Sequence, residues 1–332
     1  MNTRVELQID VSGSASIPGP LHIAATAFLP DPASLGTRPI VIYAFPGGGY
    51  SRGYFDMHFA GHTGYSQAEH HVAEGVVFVA LDHLGVGDSS VAALTTMRIE
   101  DIAAANDAAV REILRRLRAG SLAEEYPALA NSVHIGIGQS MGGGLSILMQ
   151  GRYRTYDAIA ALGYSAIHTV LPQRTQQATT QSIACRTQRR DDDPSKFSFE
   201  QSSADTDFVY PFHWEDEPAD ILAADMQGGY PIRKTAPPFG SRTLPNCVIA
   251  MMAPGFVAAE AGRIDVPVLM GMGERDTCPD PLREPSAFPK SRDVSVYVVP
   301  RMAHMHNFAP TRAMLWDRLV GWSRLVAASS GK

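Results

Sequence analysis

Cysteine is scarce in this 332-residue chain: there are three, Cys185, Cys247 and Cys278, widely spaced and without a C-x-x-C pair. So small, odd and scattered a set argues against a disulfide framework and fits a reducing, cytoplasmic setting. Long apolar runs are missing as well, and nothing approaches the roughly 18 residues of a membrane span. The opening Met1-Asn2-Thr3-Arg4-Val5-Glu6-Leu7-Gln8 alternates like a strand and lacks the apolar stretch of a signal peptide. Positive charge is in short supply too: 28 Lys and Arg stand against 34 Asp and Glu, a net charge of −6. That balance speaks against nucleic acid, whose phosphates are bound by clustered Lys and Arg. The longest basic cluster, Arg186 to Arg190, runs straight into Asp191, Asp192 and Asp193 and reads as a solvated loop.

What is present is an ordinary globular composition, 45% hydrophobic and 19% charged, long enough to bury a large core without metals or disulfides. Val5–Val11 and His22–Pro30 flank a Gly/Ser/Pro-rich stretch and read as an antiparallel hairpin. Near-continuous apolar runs at 39–45, 76–81, 133–137, 158–162, 266–272 and 294–299 suit strands buried on both faces. Between them, helical spacing appears at 65–74, 99–117 and after Ser140, then again at 244–261 and 311–327. Such alternation predicts an α/β fold with a doubly wound, mostly parallel sheet. From about His168 to Thr243 the pattern dissolves into Gln, Thr, Ser, Asp and Pro with aromatic islands at Phe208–Trp214. An irregular stretch of that length usually serves a function. The expected organisation is a core of residues 1–166 and 244–332 with a cap, or lid, at 167–243. No internal repeats are found.

One segment points to chemistry. Gly138-Gln139-Ser140-Met141-Gly142 matches G-x-S-x-G between a buried strand and a helix. Small neighbours let the chain turn sharply enough to hold a strained serine, and the helix N-terminus adds free N–H groups beside its hydroxyl. A dinucleotide fingerprint would need glycine where Met141 stands. The triple glycine Gly47-Gly48-Gly49 is not followed by the Gly-Lys-Ser/Thr of a phosphate loop. His58, His62, His70 and His71 lie close in sequence, yet no cysteine or paired carboxylate completes a zinc pattern.

With these residues in view, the chain resembles the α/β-hydrolase superfamily from Pro39 to the C-terminal helix, the irregular insertion apart. Phe45-Pro46-Gly47-Gly48-Gly49-Tyr50 is similar to that family's His-Gly-Gly oxyanion loop, with Pro46 in the place of histidine. Asp82-His83-Leu84-Gly85-Val86-Gly87-Asp88-Ser89 looks like its Asp-x-x-Gly-x-Gly-x-Ser loop, and the serine turn is its nucleophile elbow. The resemblance implies Ser140 as nucleophile and backbone N–H groups of Met141 and Gly48 as oxyanion donors, with Gly49 as the fallback. Gly273-Glu274-Arg275-Asp276 is similar to the Gly-x-x-Asp signature of the acid; Glu274 and, less well, Asp280 compete with Asp276. Pro300-Arg301-Met302-Ala303-His304 matches the Pro-Gly-x-Gly-His pattern with Ala303 where glycine is common, and His306 is a rival to His304.

The implied activity is hydrolysis of a small-molecule carboxylic ester, thioester or lactone through an acyl-enzyme, without cofactor or metal. C–C bond hydrolysis, acyl transfer or perhydrolysis on the same triad is the alternative, as is a ligand-binding homologue without turnover. Haloalkane dehalogenase and epoxide hydrolase relatives carry aspartate where this chain has Ser140. A homo-oligomer is compatible with all of these readings.

Overall fold

The computed structural model of the chain describes residues 3–184, 190–196, 206–230 and 232–329. Among them, strands β1 (Thr3–Asp10), β2 (His22–Leu29), β3 (Ile40–Phe45), β4 (Val77–Leu81), β5 (Val133–Gln139), β6 (Ala158–Leu162), β7 (Val268–Arg275) and β8 (Val294–Ala303) form one sheet. Its order is β1-β2-β4-β3-β5-β6-β7-β8. The hairpin pairs Thr3 with Leu29 and Asp10 with His22, and β2 runs antiparallel to β4. From β4 across to β8 every neighbouring pair is parallel.

The central strands are apolar throughout because both faces are covered. Along β3, Val41, Tyr43 and Phe45 join a cluster beneath α2 (Ile99–Ala119) and α3 (Met141–Tyr153). Ile40, Ile42 and Ala44 point the other way, toward α1 (Gln67–Ala73) and α8 (Arg312–Ser329). The two-residue period of a strand thus feeds two cores from one segment. Helix α2 starts where Asp101 accepts from the Arg98 N–H at 3.0 Å and stops at Gly120, left-handed at φ 66°. No helix among the described residues is long and apolar enough to cross a membrane.

Among the described residues, the short helices α4 (Gln176–Ala184), α5 (Val209–Phe212) and α6 (Ala219–Met226) punctuate the long connection from β6 to β7. The continuous helix expected over 244–261 is absent. In its place a 3-10 turn, Asn246–Met252, is separated from a single turn of helix, α7 (Ala258–Ala261). Ala253 is extended at ψ 143°, as a residue before proline must be, and Gly255 is left-handed at φ 69°. Apolar spacing alone had suggested a helix; Pro254 and Gly255 break it. The reading of Arg186–Arg190 as solvated is also corrected where it can be compared. Cys185 and Arg186–Arg189 lie outside the described residues, but Arg190 pairs with Glu260 at 2.9 Å and Glu100 at 2.8 Å and packs over Phe256.

Candidate active site

The parallel strands β5, β7 and β8 end at one edge of the sheet, and their trailing turns supply the site. Between Gln139, the last residue of β5, and Met141, the first of α3, stands only Ser140, at φ 53° and ψ −115°. That is a sparsely populated region for a residue with a side chain, and such strain persists only where its surroundings enforce it. Here they do. The Ser140 N–H donates to the Leu162 carbonyl of β6 at 2.7 Å, and its carbonyl accepts from Gly144 N–H at 3.1 Å. A Cβ on Gly138 would overlap the Gly142 carbonyl, and one on Gly142 would overlap that of Phe45. The elbow closes only because both lack one.

His304, just past β8, places Nε2 2.9 Å from Ser140 Oγ and Nδ1 2.6 Å from Asp276 Oδ1. Asp276, in the turn after β7, also accepts from Thr277 N–H at 2.7 Å, Gly273 N–H at 2.8 Å and His306 Nε2 at 2.7 Å. Burial opposes the charge of this carboxyl, but the His306 and His304 imidazoles and their hydrogen bonds outweigh it and hold Asp276 well below the usual carboxylate range. Gly163, left-handed at φ 60° after β6, lets the chain pass the pair closely: an added Cβ would sit 3.0 Å from His304 Nδ1. His306 therefore engages the far oxygen of the carboxylate, whereas His304 alone bridges it to the serine. The competing acids lie elsewhere. Glu274 is exposed and accepts from Arg301 N–H, and Asp280 is exposed at the start of the 3-10 turn Pro281–Ala287.

Gly48 and Met141 face the same cavity as Ser140 and His304. Met141 begins α3, so its N–H has no acceptor within the helix. The carbonyls of the glycine loop turn to the long connection instead: Gly48 O accepts from the Tyr230 hydroxyl at 2.8 Å, and Gly49 O from Ser241 N–H at 3.0 Å. Beneath the loop, His83 stacks on Phe45, donates from Nε2 to Pro46 O at 2.9 Å and accepts from Asn106 Nδ2 at 2.9 Å. Burial lowers this imidazole to about 4, so it stays neutral. The Asp82–Ser89 motif contains His83, but its reach to Pro46 is visible only in space. Arg52 pairs with the buried Asp82 at 2.6 Å and anchors the chain leaving the glycines.

The cavity between the sheet edge and the β6–β7 connection measures about 570 Å³ with the open solvent at its entrance included. Phe208, Phe212, Tyr230, Met251 and Met252 form much of its wall. Among the described residues that line it, none carries a fixed charge. Its hydroxyls are already engaged: Tyr164 donates to Met251 O at 2.7 Å, Thr277 to Gly163 O at 2.8 Å and Tyr230 to Gly48 O. Two backbone bonds strap α5 over the histidine turn, from His304 N–H to Pro211 O at 2.9 Å and from Met305 N–H to Phe212 O at 3.0 Å. Behind the strap His213 sits fully buried between Glu217 at 2.5 Å and Asp225 at 2.9 Å, while Asp225 also holds Arg233 at 3.0 Å and the Tyr50 hydroxyl at 2.8 Å. Burial works against a charged His213, yet its two carboxylate partners raise it to about 9.

The histidines near α1 have separate partners: His58 pairs with Asp56, His62 with Asp220 and His70 with Asp317, while His71 Nδ1 meets Gln67 O. The ligand atoms of Asp56, His58 and Glu69 lie within 4.8 Å of one another. Asp56 spends its oxygens on Arg4, His58 and Ser66, however.

No family model and no curated protein matches the sequence. Solved structures do. A thermophilic esterase from Thermogutta terrifontis superposes with a TM-score of 0.61 at 16% identity over 97% of this chain and 99% of its own. A monoglyceride lipase from Saccharomyces cerevisiae gives 0.61 at 14% identity over 96% and 94%, and a haloalkane dehalogenase variant from Bradyrhizobium elkanii 0.60 at 14% over 99% of each chain. The fold is that of the α/β hydrolases. These neighbours differ in chemistry, and a shared fold does not choose among their reactions.

Proposed function

We propose that the protein is a serine hydrolase that cleaves a carboxylic ester, thioester or lactone with an uncharged, apolar acyl group. One observation carries the reading: Ser140 Oγ, His304 and Asp276 stand in line at 2.9 and 2.6 Å, with Ser140 and His304 on the wall of a cavity. An ionised carboxylate only accepts, so His304 Nδ1 bears a proton toward Asp276 and Nε2 is left to receive one. His304 then takes the Ser140 proton as Oγ attacks the acyl carbon. The oxyanion that forms is met by the N–H groups of Met141 and Gly48, with Gly49 as the fallback donor. The imidazolium, stabilised by Asp276, returns its proton to the leaving alkoxide or thiolate. Water enters by the same route in reverse: His304 takes its proton, the acyl-enzyme is hydrolysed, and Ser140 is restored. No cofactor or metal takes part in this scheme.

The apolar wall and the engaged hydroxyls support the choice of acyl group, because a charged or strongly polar acyl chain would be desolvated without a partner. We assign residues 167–243 to a cap over the site, and the turn at Asn246–Met252 adds Met251 and Met252 to its wall. Cys247 and Cys278 are free and buried, their thiols raised by burial, which agrees with a cytoplasmic setting. Ser140→Ala is expected to leave a folded protein whose turnover of p-nitrophenyl butyrate falls to the uncatalysed rate. Turnover retained within tenfold of the parent, on the order of 1.4 kcal/mol in barrier, would refute the assignment.

A further inference from the structure

The two imidazoles on Asp276 are not equivalent, and the triad uses only one of them. Asp276 receives four donors, two on each oxygen: His304 and Thr277 N–H on Oδ1, His306 and Gly273 N–H on Oδ2. That fills the roughly four acceptor positions a carboxylate offers. Backbone N–H groups already reach both oxygens, so His306 is not needed merely to satisfy Oδ2. The ring is retained despite a penalty: His306 Nδ1 is buried without a hydrogen-bond partner. An apolar side chain would avoid that orphan nitrogen.

We propose that His306 is a positioning residue of the reaction, a neutral imidazole whose Nε2–H holds the oxygen of Asp276 that His304 leaves free. The inference rests on the serine hydrolase reading above. Because the carboxylate only accepts, His306 Nε2 must be the protonated nitrogen, leaving Nδ1 as the bare one. A second proton would create an unpaired buried donor. It would also set a cation beside the imidazolium that forms on His304, with one carboxylate between them and 6.5 Å between ring centres.

The turn that carries the ring is fixed from three sides. Asn307 N–H donates to the Tyr54 hydroxyl at 3.0 Å, Asn307 Nδ2 to Gln67 Oε1 at 3.0 Å, and Trp316 Nε1 to Asn307 Oδ1 at 2.9 Å. The titratable groups around it are Asp276, His304, Tyr54 and, across the Phe308 ring, His213 with its carboxylates. With a backbone and an imidazole donor on each oxygen, the carboxylate is set so that Oδ1 faces His304. The extra donor also draws negative charge off the carboxylate that faces His304 Nδ1–H.

Two variants and one spectrum test this. The rate at which a fluorophosphonate labels Ser140 reports the neutral fraction of the base, and is followed against pH in the parent, His306→Phe and His306→Gln. Removing the donor in His306→Phe is expected to move the acid limb to higher pH. The same variant should lose roughly tenfold in kcat on p-nitrophenyl butyrate with KM little changed, the pattern of a group acting on the transition state. Glutamine places an N–H donor near the Nε2 position and should return the acid limb to the parent's. An unmoved acid limb in His306→Phe overturns the proposal, as does a shift that glutamine fails to reverse. If His306→Phe does not fold, nitrogen-15 spectra of the parent decide: a His306 proton on Nε2 supports the assignment, one on Nδ1 overturns it. A parent protein that no fluorophosphonate labels would sink the hydrolase reading itself, a distinct result.

Discussion

Gly144, one turn into α3, shows how a single missing methyl group shapes the cavity. A Cβ there would stand 2.6 Å from Met251 Cε and 2.8 Å from the Tyr164 ring. Helix propensity alone would favour alanine at this position by about 1 kcal/mol, so the backbone of α3 does not require glycine here. The cavity does. Met251 is the more yielding neighbour, and its methyl group would move into the cavity proposed to take the acyl chain. Gly144→Ala is expected to spare p-nitrophenyl acetate and to reduce kcat/KM for the octanoate by roughly tenfold or more, the worth of about one methylene's room. Equal losses on both esters would place the acyl chain elsewhere. At this scale the serine turn was legible because glycine spacing and the strand-to-helix switch are local, and Asp276 because it trails a strong apolar run. The choice between His304 and His306 was not. They are two residues apart on an irregular turn, and only the bonds to Pro211, Phe212 and Tyr54 decide which ring faces the serine. Gly163 and His83 were missed as parts of the site for the same reason: what they touch is distant in sequence.

The strap formed by α5 is backed by buried charges whose protonation bears on stability. His213 is raised to about 9 against an ordinary value near 6.5. A raised folded value means that the protonated form favours folding. Its contribution is complete below about pH 6.5 and is lost as pH climbs through about 9, up to roughly 3 kcal/mol in all. The melting temperature should therefore fall between pH 7 and pH 10, and His213→Gln should flatten that decline while lowering the value at pH 7. A parent and variant that decline in parallel would count against a charged His213. The elements of the sheet could be read from sequence because each is a short apolar run bounded by turn residues. The segment at 244–261 could not, since its apolar spacing resembles a helix while Pro254 and Gly255 interrupt it. The helices within 168–243 are too short, and too poor in apolar repeats, to stand out before packing is known.

Across the whole molecule, one sheet brings Ser140, Asp276 and His304 from turns 28 to 164 residues apart in sequence to a single edge. The alternation of strands and helices made that architecture readable, since parallel neighbours need crossover helices and those leave a periodic trace. Substrate choice left no such trace: much of the cavity wall comes from the β6–β7 connection, and the structural neighbours span esterase, lipase and dehalogenase on the same frame. The most direct trial of the central claim is covalent. Treatment with a fluorophosphonate, digestion and mass spectrometry should find one adduct, on the peptide bearing Ser140, and none in protein unfolded beforehand. A folded protein that carries the adduct on another residue, or none at all, would contradict the account.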